Sequence, residues 1–142
     1  MSLYFRYLDF PTIPEDFVSD IYHSINTNEN HFIKKNVNYS LYPVSSRLRD
    51  HINSFFPKST AISIQVINGN LPIHRDIGRT EAINYIIETG GEDVQTCFYN
   101  DNKILDSHRI SAFKWHWLNV SVHHTVINVK KDLPRISITL TP

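Results

Sequence analysis

The chain has 142 residues, which suits one domain whose core removes roughly two-thirds of its unfolded surface from water. With 41% hydrophobic and 20% charged residues it does not read as a disordered chain, and fourteen basic against fourteen acidic residues leave no net field to draw it onto nucleic acid or anionic lipid. A single cysteine, Cys97, excludes an intramolecular disulfide and any multi-cysteine zinc site. The opening MSLYFRYLDFPTIPEDF lacks a basic start followed by an apolar stretch, and no apolar run reaches membrane-spanning length. The expectation is therefore a cytoplasmic protein with no membrane and no nucleic-acid partner.

In chain order, residues 3 to 8 are aromatic-rich and read as a strand, broken by Pro11 and Pro14. Pro14 suits the first turn of a helix in which Phe17, Val18, Ile21, Tyr22 and Ile25 form one apolar face, ending near the Asn-rich 26–30. A shorter helix is expected from about Ser45 to Phe55, with Leu48, Ile52 and Phe55 on one side and Pro57 as its stop. From residue 60 the texture turns to short β-rich runs: AISIQVI, AINYII, VQTCFY, then stretches around ISAFKW, VSVHHTVINV and RISITL. Gly90-Gly91, residues 100–102 and residues 131–134 are the natural turns, giving mostly antiparallel pairing. Helices on the outside of a β-sandwich or barrel follow from this order, within a single domain spanning 1–142 in which 1–59 support a β-core of 60–142.

Two constellations carry chemistry. The first is His74-Arg75-Asp76, just after the run 61–67. Residues i and i+2 of an extended chain point the same way, so His74 and Asp76 can converge on one ion while Arg75 points away. An imidazole and a carboxylate make two-thirds of a facial metal triad. The same letters open a protein-kinase catalytic loop, but that loop needs an asparagine where this chain has Glu81, and no Gly-rich phosphate loop precedes it.

The second constellation is His123-His124-Thr125-Val126, a turn, then Arg135-Ile136-Ser137 opening the last strand. There Arg135, Ser137 and Thr139 share one face and Ile136, Ile138 and Leu140 the other. If the apolar face packs on helices, Arg135 is directed inward, where a guanidinium calls for an anion.

HxD, a distant histidine in a strand and RxS one hairpin later together resemble the 2-oxoglutarate- and Fe(II)-dependent dioxygenases, in particular small phage-type and prolyl-hydroxylase-like members. The resemblance covers roughly residues 60–142. It implies a mainly β fold with flanking helices, a double-stranded β-helix (jelly roll, cupin-like), with the metal inside one open end. It further implies Fe(II) held by His74, Asp76 and His124, 2-oxoglutarate as small-molecule co-substrate, and O2 as oxidant, with oxidative decarboxylation to succinate and CO2 coupled to hydroxylation. A peptidyl or free amino-acid side chain is the substrate it suggests. Arg135 matches the residue that pairs with the far carboxylate of 2-oxoglutarate, with Ser137 as a hydroxyl helper.

The choice between His123 and His124 turns on strand parity; His124-Thr125-Val126, with Asn119 upstream and Asn128 downstream, resembles the family pattern better. By the same likeness Asn84 or Tyr85 touches 2-oxoglutarate, and parity prevents both from facing inward. Arg79 reads as a substrate contact or, in preference, as solvated, and Trp115, Trp117 and Tyr99 as core or mouth. A non-catalytic jelly-roll module that retains a metal, and a cupin-like metalloenzyme that does not use 2-oxoglutarate, are the competing classes.

Overall fold

The last strand organises the molecule. In the computed structural model, which describes residues 2–28 and 34–142, Arg135–Thr141 lies at the centre of a seven-stranded antiparallel sheet. Taking the elements in chain order, β1 is Phe5–Tyr7, α1 Glu15–Thr27, β2 Lys34–Asn36, β3 Tyr39–Pro43, α2 Ser46–Asn53, β4 Thr60–Ile67, β5 Glu81–Glu88, β6 Gln95–Asn100, β7 Lys103–His108, β8 Trp115–Asn119, β9 His123–Ile127 and β10 Arg135–Thr141. The large sheet runs β1-β8-β5-β10-β4-β3-β2, and a smaller one runs β7-β6-β9. An isolated antiparallel bridge between His74 and His124 adds the HxD segment to the free edge of β9, so the small sheet is four chains wide at the site.

Alternation in β10 decides what each face does. Ile136, Ile138 and Leu140 enter one core cluster with Ile21 of α1 and Leu48 and Ile52 of α2, all five of the last-named β10 and helix residues other than Ile136 being fully excluded from solvent. Each such side chain contributes roughly 1.5–3 kcal/mol through burial, so this layer fastens the helices to the sheet. Ser45 caps α2, its Oγ accepting from the Leu48 N–H at 3.2 Å while donating to Asp20 of α1 at 2.8 Å. The opposite face, bearing Arg135, Ser137 and Thr139, looks toward the small sheet across a cavity of about 1060 Å³. Two smaller apolar clusters close the inter-sheet space, one around Ile86, Phe98 and Leu118, the other around Ile67, Val94 and Val126. Two sheets of interleaved strands, wound as a jelly roll with both helices on one outer face, make this a double-stranded β-helix.

Several elements differ from the sequence reading. The β2–β3 hairpin was not expected; its turn uses Asn38 at φ 58°, and pairing of β3 with β4 holds this short segment as a strand. Strand β7 also went unread, because its residues are mostly exposed and carry no clean alternation. The strand expected around ISAFKW starts only at Trp115: Ile110 anchors in the core, Phe113 takes φ 63°, and its N–H donates to the Ile86 carbonyl, so residues 110–113 form a loop. The Asn-rich end expected for α1 lies partly in residues 29–33, outside the described residues. Among the described residues no helix is long and apolar enough to cross a membrane.

Candidate metal centre

The HxD segment and β9 meet on the wall of the cavity between the sheets. His74 N–H donates to the His124 carbonyl at 3.0 Å and His124 N–H returns the bond at 2.8 Å, which locks the two backbones in register. Leu71 N–H donates to the Val126 carbonyl, and the Thr125 hydroxyl donates to the Leu71 carbonyl, extending the zipper upstream. Parity then settles which histidine turns inward: His124 is 6% exposed, whereas His123 faces solvent. His74, Asp76 and His124 each offer a ligand atom, and these atoms lie within 4.8 Å of one another.

Both imidazoles are oriented for coordination. His74 Nδ1 lies 2.7 Å from the Pro72 carbonyl and His124 Nδ1 2.7 Å from the Val122 carbonyl. A carbonyl can only accept, so each Nδ1 carries a proton and each Nε2 is the nitrogen directed into the centre. There Asp76 Oδ1 lies 3.7 Å from His74 Nε2 and 3.3 Å from His124 Nε2. Burial alone would raise the Asp76 pKa; hydrogen bonding to His124 and Arg79 outweighs it and lowers the pKa to about 2, so the carboxylate is ionised. Two imidazole nitrogens and one carboxylate oxygen suit a divalent transition metal and leave positions open for other ligands.

Arg135 occupies the cavity wall and is only 4% exposed. Its Nε donates to the Thr89 carbonyl at 3.0 Å and its Nη1 to the Thr96 hydroxyl of the small sheet at 3.3 Å, while the buried Nη2 has no protein partner. Burial pulls its pKa down to about 10, still well above neutrality, so a cation with an unused donor faces the cavity. Gly90 shapes this corner: at φ +86° its α-carbon comes so close that an added Cβ would meet Arg135 N at 3.0 Å. Ser137 Oγ, also on the wall, donates to Gln65 Oε1 at 3.3 Å. The donor set of this pocket fits a small carboxylate.

The Asn84 and Tyr85 alternatives separate cleanly. Asn84 is buried on the cavity wall, with an Oδ1 that has no partner. Tyr85 points the other way into the helix-side core, against Trp115, and its hydroxyl accepts from the Ile13 N–H at 3.1 Å. Tyr85 is therefore corrected from pocket residue to core residue, because adjacent positions of β5 face opposite sides.

Arg79 is a second correction: it is not solvated but bonded to Asp76, with Nε 2.7 Å from Oδ2. Trp115 belongs to the core, and the cavity lining includes neither Trp117 nor Tyr99. Asn119 and Asn128 serve turns, the first accepting from Ser121 and the second, at φ 68°, bonding Asp93 and Asn70. The sequence reading missed Gln65, Thr96 and His116. His116 is the cross-strand neighbour of Asn84, a pairing that only the β5–β8 register reveals.

No protein-family model matches the chain, and no curated protein matches it by sequence. Solved structures do. A prolyl hydroxylase in complex with a hypoxia inducible factor oxygen degradation domain peptide fragment, from Trichoplax adhaerens, superposes with a TM-score of 0.66 at 14% identity, covering 96% of this chain and 82% of that one. Hydroxypropylphosphonic acid epoxidase from S. wedmorenis gives 0.52 at 9% identity over 78% of this chain and 54% of its own. Identities this low establish the shared jelly-roll fold and leave chemistry to the site itself.

Proposed function

We propose that the chain is an Fe(II)- and 2-oxoglutarate-dependent oxygenase that couples oxidative decarboxylation of 2-oxoglutarate to hydroxylation of a peptidyl or free amino-acid side chain. The observation that carries this reading is the unpaired Nη2 of buried Arg135 in the same cavity as the converging His74, Asp76 and His124. A metal triad alone suits many reactions. A buried guanidinium lacking an anion beside it supports a carboxylate-bearing co-substrate.

In this reading His74, Asp76 and His124 hold the iron, which when bound supplies the redox chemistry for O2 and the keto-acid. Arg135 pairs with the far carboxylate, aided by the Ser137 hydroxyl, and the Asn84 amide offers a further polar contact. Apolar wall residues such as Ile86 and Leu118 keep water from the reacting groups. The cavity, at about 1060 Å³, has room for a co-substrate and a substrate side chain together. The peptide in the superposing prolyl hydroxylase supports a peptidyl substrate.

Adding Fe(II) and 2-oxoglutarate without oxygen is expected to produce a weak visible charge-transfer band, and admitting oxygen to release succinate. In Arg135→Ala, 2-oxoglutarate binding should weaken by about 30-fold or more, the cost of removing one partner of a buried charge pair, with Fe(II) affinity retained. A folded protein that binds Fe(II) yet gives neither band nor succinate would be a metalloprotein of another kind.

A further inference from the structure

The HxD segment holds one interaction that metal binding does not require. Asp76 has two carboxylate oxygens, and they face different partners. Oδ1 faces the two histidine Nε2 atoms, while Oδ2 is taken at 2.7 Å by Arg79 Nε, three residues along the chain. Arg79 is in turn held from the large sheet, its Nη1 lying 3.3 Å from the hydroxyl of Thr139, which is 2% exposed on β10. The turn that brings Arg79 back onto Asp76 passes through Gly78 at φ +91°, a conformation side-chain-bearing residues rarely adopt. The guanidinium thus straps the loop carrying two ligands to the opposite sheet.

A carboxylate free at both oxygens can grip a metal with either one or two of them. Two-oxygen coordination by Asp76 would use up one of the positions that a keto-acid and O2 need. We propose that Arg79 is a positioning residue that holds Asp76 to coordination through Oδ1 alone, keeping that position open. The proposal rests on the metal-centre part of the function above and is independent of which co-substrate the centre uses. Geometry supports it from both ends: the donor occupying Oδ2 is itself fixed, and Oδ1 is the oxygen already aimed at both imidazoles.

Arg79→Gln and Arg79→Lys, each checked for folding by circular dichroism and thermal melting, can be loaded anaerobically with Co(II), whose visible spectrum reports coordination. In Arg79→Gln the Co(II) spectrum is expected to change, 2-oxoglutarate affinity of the Co(II) protein to fall about 10-fold, and a crystal structure to show both Asp76 oxygens on the metal. Arg79→Lys keeps the charge but not the fixed planar donor, so it should restore only part of the affinity. An unchanged spectrum and affinity in Arg79→Gln, or full rescue by lysine, would overturn the positioning role. If the parent binds Co(II) but not 2-oxoglutarate, the co-substrate reading falls while the Co(II) spectrum and crystal structure still decide on Arg79. If the parent binds no Co(II), both fall.

Discussion

His116 shows how much the cavity wall costs to build. It is 1% exposed on β8, and burial, helped by the nearby Arg135 charge, pushes its pKa down to about 3 against a 3.4 Å contact with the Lys114 carbonyl that favours the charged form. In the unfolded chain it takes up a proton near pH 6.5, and in the folded chain only near pH 3. Between those values the unfolded state binds more protons, so the stability His116 confers is complete above its unfolded pKa and drains away as pH falls. Metal-free protein should lose about 2 kcal/mol between pH 6.5 and pH 5 from this residue, at about 1.4 kcal/mol for each pH unit. Urea titrations at the two pH values should show a smaller difference for His116→Gln than for the parent; equal differences would contradict the assignment.

At the scale of elements, the site depends on one register. The reciprocal hydrogen bonds between His74 and His124 and the pairing of Phe98 with His124 across β6 leave β9 no freedom to slip. His124→Ala should abolish Co(II) binding measured by titration, whereas His123→Ala, removing an exposed side chain, should leave it within about twofold, since surface changes of this kind stay near ±0.5 kcal/mol. Comparable losses in both would place the register wrongly. Much of this element was legible beforehand: the i, i+2 spacing of His74 and Asp76 and the strict alternation of RISITL are properties of extended chain that need no partner. Parity by itself names two alternating sets but not the one that faces inward, so it left Asn84 and Tyr85 both open, and His124 was preferred over His123 only through the family likeness of His124-Thr125-Val126. The short β2–β3 hairpin and β7 lacked even that signal, β2 and β7 being edge strands made by the neighbour they pair with.

Across the whole molecule, the two sheets contribute different halves of the site. The small sheet and its added HxD edge bear His74, Asp76 and His124, the residues proposed to hold the metal, and the large sheet bears Arg135, Ser137, Thr139 and Asn84. Any ligand set spanning the cavity therefore clamps one sheet to the other. Anaerobic Co(II) with 2-oxoglutarate should raise the melting temperature more than Co(II) alone, each ligand at a hundred times its Kd adding about 2.7 kcal/mol. No added shift from 2-oxoglutarate would detach Arg135 from the role given to it.

Local backbone geometry alone already implies a mostly β chain with two outer helices, a histidine and an aspartate on the same side of one extended segment, and an arginine on the polar face of the last strand. The packed fold is what turns His124 inward beside His74 and Asp76, sends Tyr85 into the core, and sets Arg79 on Asp76 instead of water. These are contacts between segments far apart in sequence or choices between opposite faces. Both are settled by the partner each face buries, a quantity that periodicity does not contain.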